Sequence, residues 1–168
     1  MGTLQVLRLG FWMTMFLVTA ALPSGFTPAQ WFNKQHVQYP KTKASSDNIY
    51  CNNEMRQINK HTHQCKSFNT FLNYMLENII KICFTTSITC KNPTYKNCHK
   101  STSTIPVTNC ELTSGHYPDC RYRGTSEMAY FIIACNPPLP ADHSRSELLP
   151  VHLDSTTSNS GPILILSS

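Results

Sequence analysis

The stretch Cys65-Lys66-Ser67-Phe68-Asn69-Thr70-Phe71 opens with one of eight cysteines in this 168-residue chain. An even and dense set of cysteines indicates either the disulfide framework of a secreted protein or the metal ligands and reactive thiols of a cytosolic one. The length fits one domain, and a hydrophobic content of 40% excludes a disordered chain. The compartment therefore determines how Cys65 and the other seven cysteines are used.

The first 21 residues have the layout of a secretory signal peptide. Arg8 supplies a positive charge, residues 11–18 are mostly apolar, and small residues follow. The apolar run is too short to span a bilayer, and a buried N-terminal helix is the less favoured alternative. Cleavage after Ala21 fits best, with Ala20 or Gly25 as alternatives. We therefore expect a secreted, extracellular protein with four disulfides, whose formal charge falls from +5 to +4 when Arg8 is removed.

Metal binding is the alternative use of the cysteines. The stretch His61-Thr62-His63-Gln64-Cys65 and the pair Cys98-His99 contain ligand types. Structural zinc sites, however, favour pairs such as C-x2-C, and no two cysteines here are closer than Cys83 and Cys90. We expect neither a metal nor a cofactor.

The order of the expected elements indicates an α+β fold. Thr27-Pro28 is typical of a helix start, and Phe32 and His36 would share one face of that helix. Further helices are predicted at 48–59 and 73–82, and stretches rich in β-branched and aromatic residues follow at 87–89, 103–113, 128–135 and 148–153. Helices followed by strands favour an antiparallel sheet. We expect the domain to span residues 22–154 and the tail, residues 155–168, to be disordered.

Two of the seven histidines have surroundings that suit chemistry. In the stretch Pro150-Val151-His152-Leu153-Asp154, alternation would turn Val151 and Leu153 to the core and place His152 on the same side as Asp154. A carboxylate in that position can fix a histidine tautomer. On spacing alone His152 is the stronger candidate, followed by His36.

The modest basic excess favours an anionic partner without identifying it. A basic surface on a secreted protein could equally be a solvated face, a contact for a heparin-like glycan or a membrane-active patch. At this point the choice stays open.

A set of motifs in fixed order resembles the pancreatic-type, vertebrate secreted ribonuclease superfamily. The first is the stretch from Cys65 to Phe71, which matches C-K-x-x-N-T-F. The others are Gln35-His36, Cys90-Lys91-Asn92, Asn97-Cys98, Leu112 to Tyr122, Ile132-Ile133-Ala134-Cys135, and Pro150 to Asp154. The match covers Thr27 to Asp154. Trp31-Phe32 and Cys135-Asn136-Pro137-Pro138 look more like the leukocyte and epithelial host-defence branch than the digestive one.

The resemblance implies three helices and a bent antiparallel sheet in two lobes, with the active cleft between the lobes. It also implies four disulfides, which pair Cys51 with Cys110, Cys65 with Cys120, Cys83 with Cys135, and Cys90 with Cys98. From the residues alone, only the pair Cys90 and Cys98 is locally plausible.

By motif position, the resemblance implies a catalytic trio of His36, Lys66 and His152. Neutral His36 would take the proton of the RNA 2′-OH, protonated His152 would supply one to the departing 5′-oxygen, and Lys66 would stabilise negative charge on the phosphoryl oxygens. No metal is needed, because RNA carries its own nucleophile. Cleavage would follow pyrimidines and give a 2′,3′-cyclic phosphate that water then opens.

The resemblance also implies a set of substrate-binding residues. They are Gln35 and Asn69 at the phosphate and cleft, Thr70 at the pyrimidine edge, Asn97 at the base on the 3′ side, Leu153 as an apolar wall, and Asp154 behind His152.

A different class of function remains as an alternative: a cationic antimicrobial protein that acts on membranes, with RNase activity incidental or lost. Trp31, Lys34, Lys41 and Lys43 could form a basic aromatic patch for that purpose. The expected partners are therefore single-stranded RNA, then anionic membranes or polyanionic glycans, and, by family resemblance, a cytosolic ribonuclease inhibitor. The protein is expected to be a monomer.

Overall fold

The computed structural model describes residues 22–158. The predicted signal peptide, residues 1–21, lies outside the described residues, as does the end of the predicted tail, residues 159–168. Within residues 22–158, no helix is long and apolar enough to cross a membrane.

Three α-helices form the first part of the domain. Helix α1 spans Pro28–His36, and its N-terminus is closed as predicted, because the Thr27 side chain accepts from the Gln30 backbone N–H. Helix α2 spans Asp47–Thr62, longer at both ends than the predicted 48–59. Helix α3 spans Leu76–Ile82 and begins three residues later than predicted, because the preceding Met75 has extended backbone angles.

One antiparallel sheet holds five strands. They are β1 (Phe68–Leu72), β2 (Cys98–Lys100), β3 (Ile105–Ser114), β4 (Arg121–Asn136) and β5 (Leu149–Ser158). The first half of β4 pairs with β3, which pairs with β1, while the second half pairs with β2 and β5. The 16-residue strand β4 therefore joins two halves of the sheet.

Two large apolar clusters are buried between the helices and the sheet. One cluster lies where α1 and α3 meet the sheet, and it includes Phe32, Leu72, Ile79, Phe131 and Ile133. The other lies under α2, and it includes Tyr50, Met55, Ile58, Phe71 and Tyr122. The predicted fold class, with three helices and a bent antiparallel sheet, is confirmed.

The four disulfides are the pairs that the resemblance implies. Three of them close loops of similar size, with sequence separations of 59, 55 and 52 residues for Cys51–Cys110, Cys65–Cys120 and Cys83–Cys135. The fourth, Cys90–Cys98, closes a local loop with a separation of 8 residues. The expected disulfide framework is confirmed.

The C-terminal region corrects one expectation. Disorder was predicted from Ser155 onward, but residues 155–158 continue β5 and pair with β4, where Ser155 lies opposite Ile132 and Ser158 opposite Ala129. Residues 155–158 have no apolar alternation that would indicate a strand, but the backbone ladder to β4 holds them in place.

Candidate active site

The last turn of α1 places a buried histidine against strand β1. His36 is 8% exposed, and its ring lies 5.5 Å from the ring of Phe32, one helical turn earlier. Its Nδ1 lies 2.9 Å from the backbone oxygen of Thr70. Because that oxygen can only accept, Nδ1 carries the proton and Nε2 is left as an acceptor. Nε2 lies 2.9 Å from the side-chain nitrogen of Gln35, which donates to it.

A lysine lies on the other side of Gln35. Lys66 Nζ donates to Gln35 Oε1 at 2.9 Å and to Asn69 Oδ1 at 2.8 Å. Asn69 in turn donates from Nδ2 to the backbone oxygen of Gln35 at 2.9 Å, which ties β1 to α1. Both acceptors of the ammonium group are neutral amide oxygens, so these contacts orient its charge without cancelling it. Burial lowers the pKa of Lys66 to about 8.

Burial and neighbouring charge keep His36 neutral. The pKa of His36 is lowered from 6.5 to about 3, first because the ring is buried and next because Lys66 is positively charged. The hydrogen bond to the Thr70 backbone opposes the shift, and the charge of His152 adds to it. A histidine in this setting is a proton acceptor at neutral pH.

His152 has the opposite environment on strand β5. Its side chain is 63% exposed, whereas that of Asp154 is 7% exposed. Its Nε2 lies 3.5 Å from Asp154 Oδ1, and Asp154 Oδ2 accepts the backbone N–H of Lys91 at 2.9 Å. The carboxylate thus connects His152 to the Cys90–Cys98 loop and leaves Nδ1 of the imidazole for a substrate. Since the charge of His152 lowers the pKa of His36, the two histidines belong to one electrostatic environment.

The three remaining site residues predicted from the sequence are Thr70, Asn97 and Leu153, and each has different surroundings. Thr70 joins the His36 side of the site, with its backbone oxygen on His36 and its hydroxyl donating to Asn109 Oδ1 at 2.7 Å. Asn97 is held elsewhere, since its Nδ2 donates to the backbone oxygen of Cys135 at 3.1 Å and to Asn136 Oδ1 at 2.9 Å. Leu153 is half-buried and packs against the apolar cluster beneath α1.

Comparison with known proteins identifies the family. The family model of pancreatic ribonuclease matches residues 27–154. The chain belongs to this family. It is a pancreatic-type ribonuclease, and the resemblance drawn from the motifs is confirmed.

Several relatives of this ribonuclease are similar over nearly their whole length. Ribonuclease 7 of Homo sapiens is 42% identical over 151 residues, which cover 90% of this chain and 91% of the relative. Ribonuclease 8 of Pongo pygmaeus is 44% identical over 151 residues, covering 90% and 92%. The crystal structure of green turtle egg white ribonuclease has a TM-score of 0.62 and 30% identity, covering 79% of this chain and all of that one. These relatives place the chain in the branch that its motifs indicated.

Two residues linked by hydrogen bonds to Thr70 of the candidate site were not singled out by any motif. Asn109 on β3 accepts from Thr70 and donates from Nδ2 to Glu127 Oε1 at 3.0 Å. Sheet register brings them together, because Asn109 lies opposite Thr70 on one side and opposite Thr125 on the other, with Glu127 two residues further along β4. Strand pairing over such distances in sequence could not be read from the chain.

The expected basic aromatic patch is partly used by the fold of the ribonuclease. Trp31 is half-buried and packs edge-to-face with Phe26, at 5.2 Å between ring centroids, and with His61, at 5.9 Å. Lys41 Nζ lies 2.9 Å from Asp47 Oδ1 and donates to Ser126 Oγ at 2.8 Å. Trp31 and Lys41 are therefore less available to a membrane than the sequence suggested.

Proposed function

We propose that this ribonuclease is a secreted endonuclease that cleaves single-stranded RNA after pyrimidines through a 2′,3′-cyclic phosphate. The observation that carries the proposal is the contrast between its two histidines. His36 is buried and neutral, with Nε2 as an acceptor, whereas His152 is exposed and backed by the Asp154 carboxylate. One group suits proton removal and the other suits proton donation.

In the first step, His36 Nε2 removes the proton of the 2′-OH while the 2′-oxygen forms a bond to phosphorus. The bond from phosphorus to the 5′-oxygen breaks, and His152 gives that oxygen a proton from Nδ1. Lys66 faces the negative charge that grows on the non-bridging oxygens, with its ammonium group held by Gln35 and Asn69. In the second step, His152 takes a proton from water while the water oxygen forms a bond to phosphorus. The bond from phosphorus to the 2′-oxygen breaks, and His36 gives its proton to that oxygen.

The nucleophile belongs to the substrate, so the chemistry does not call for a metal-bound hydroxide. The other site residues predicted from the sequence would bind and orient the RNA. The Thr70 hydroxyl would meet the pyrimidine, Leu153 would offer an apolar wall, and Asn97 would meet the base on the 3′ side.

The test uses refolded mature protein, a defined RNA with a single uridine, and EDTA in the buffer. We expect one cut after the uridine and an end that carries a 2′,3′-cyclic phosphate. His152→Ala should remove the cleavage, while His116→Ala, which changes an exposed histidine in the 115–119 turn, should not. Cleavage that stops in EDTA, or that survives His152→Ala, would contradict the mechanism.

Secretion is the second part of the proposal. The 21-residue signal layout and the four disulfides support it, since disulfides persist in oxidising compartments. Full-length protein expressed in cultured animal cells should appear in the medium with an N-terminus near residue 22. Retention inside the cells, or an uncut N-terminus, would refute this part.

A role in host defence is the third part, and the branch of the family supports it. Killing of bacteria and cleavage of RNA are separable in the His152→Ala variant. We expect both to be lost together if defence depends on RNA cleavage. Killing that survives in the variant would instead favour direct action on membranes.

A further inference from the structure

A row of hydrogen bonds between three polar side chains crosses the sheet behind the proposed base site. The Thr70 hydroxyl on β1 donates to Asn109 Oδ1 on β3 at 2.7 Å, and Asn109 Nδ2 donates to Glu127 Oε1 on β4 at 3.0 Å. Thr70 is 5% exposed, whereas Asn109 and Glu127 are both half-buried. The row of hydrogen bonds therefore runs from a buried residue to two residues that reach solvent in part.

The Glu127 carboxylate fixes the direction of both hydrogen bonds in this row. An ionised carboxylate can only accept, so the amide group that faces Glu127 must present its nitrogen. The amide oxygen of Asn109 then faces Thr70. Because that oxygen can only accept, the Thr70 hydroxyl must give its single proton to Asn109. Without Glu127, the Asn109 amide could turn over and donate to Thr70 instead.

The direction of the Thr70 hydroxyl decides what it offers to a base. A hydroxyl whose proton is committed to Asn109 has only lone pairs left for a ligand. Uracil presents an N–H donor at ring position 3, whereas cytosine presents a bare acceptor nitrogen there. A lone pair meets the uracil donor in a hydrogen bond, but it faces the cytosine nitrogen as a second acceptor, and an unmade hydrogen bond at a buried group is costly.

We propose that Glu127 is a positioning residue that makes this ribonuclease prefer uridine to cytidine at the cleavage site, by way of Asn109 and Thr70. The inference rests on the proposed function, in which Thr70 meets the pyrimidine. Glu127 touches neither the base nor the reacting atoms, and so it changes the choice of base and leaves the bond-breaking groups in place.

The experiment compares two RNAs that differ only in having uridine or cytidine at the single cleavable position. The measured quantity is the ratio of kcat/KM for the two RNAs, and the wild-type ratio should favour uridine. Glu127→Gln and Glu127→Ala should each lower the ratio roughly fivefold, the effect of about one hydrogen bond. Glu111→Gln is the matched control, since this carboxylate lies on the same sheet but pairs with Arg123, and it should leave the ratio unchanged.

A rescue variant separates hydrogen-bond direction from general damage. Asn109→Asp places a group beside Thr70 that accepts on both oxygens, so the hydroxyl is directed without help from Glu127. The double variant Asn109→Asp with Glu127→Ala should therefore regain the wild-type preference. Failure of this rescue, a wild-type preference for cytidine, or an unchanged ratio in both Glu127 variants would each overturn the inference.

The two proposals fail in different ways. Cleavage of both RNAs with an unchanged ratio refutes the role of Glu127 and leaves the proposed function standing. If the wild-type protein cleaves neither RNA, the proposed function fails. The inference is then decided by calorimetric titration of wild type and Glu127→Gln with uridine 3′-monophosphate and cytidine 3′-monophosphate, and only a shift in the ratio of the two dissociation constants upholds it.

Discussion

Replacing Lys66 by methionine removes one charge from the candidate site while keeping an unbranched side chain of similar length. Lys66 is held by two neutral acceptors, Gln35 and Asn69, at 2.9 and 2.8 Å. Loss of one preorganised group that stabilises developing charge typically costs about 10²–10³ in kcat. We expect a loss of RNA cleavage in that range. Lys81→Met on the exposed face of α3 is the matched control and should keep wild-type activity.

The same substitution should move the acid limb of the pH profile. Two hydrogen bonds of 2.9 Å in series, across the Gln35 amide, place Lys66 Nζ at most about 8 Å from His36 Nε2. A unit charge at that distance and an effective dielectric constant of about 20 contributes about 2 kcal/mol, or about 1.5 pKa units. The charge lowers the pKa of His36, so its removal raises that pKa. The acid limb of kcat/KM, which reports the free enzyme, should shift to higher pH by about 1.5 units.

The alkaline limb supplies an independent readout. In the wild-type protein, Lys66 loses its charge as the pH rises through its pKa of about 8, and part of the fall in rate above that pH follows from this loss. The Lys66→Met profile should lack that part. The assay is initial-rate cleavage of a single-uridine RNA from pH 3 to 10. A rate within threefold of wild type, or an acid limb that moves to lower pH, would refute the reasoning.

Three further predictions concern the fold around the site. Gly124→Ala should lower the free energy of unfolding by about 1–3 kcal/mol, because a Cβ there would lie 2.2 Å from a backbone oxygen at the start of α2. An unchanged free energy in urea unfolding would contradict this. Asp154→Ala should lower the free energy of unfolding by about 1–3 kcal/mol, because the Lys91 N–H loses its acceptor. Asp154→Asn keeps an acceptor and should reduce RNA cleavage more than stability. Equal stability of the two variants in thermal unfolding would be inconsistent with the contact. The free energy of unfolding should fall as the pH drops from about 6.5 towards 3, because His36 binds a proton in the unfolded chain but stays neutral in the folded one. The loss is about 1.4 kcal/mol per pH unit. His36→Gln should flatten that part of the profile measured in urea, and an unchanged slope would argue against a buried neutral His36.

The sequence predicted the parts of the site that depend on local pattern. Thr27-Pro28 placed the start of α1, and the four-residue spacing of Phe32 and His36 predicted that both are buried, as found. The spacing of His152 and Asp154 likewise predicted their contact, which is 3.5 Å between Nε2 and Oδ1. In each case the prediction depends on the repeat of a single helix or strand, which fixes which nearby residues share a face.

Features that depend on strand pairing were not visible in the sequence. Strand β1 was not predicted, because Asn69 and Thr70 interrupt its apolar residues without a two-residue alternation, and the strand is held by its pairing with β3. The extension of β5 through Ser158 depends on β4 in the same way. The link from Thr70 to Asn109 and Glu127 needs three strands in register at once. The pattern within a single strand does not show which strands pair. The family motifs do not help here, because they do not include Asn109 or Glu127.

The order of the proposed catalytic groups along the chain has a consequence for the cell that makes the protein. His36 lies on the first helix and Lys66 just before β1, but His152 lies on the last strand. A chain synthesised only as far as β4 therefore still lacks its acid. Under the proposed mechanism, cleavage begins only after β5 has been made and has paired with β4.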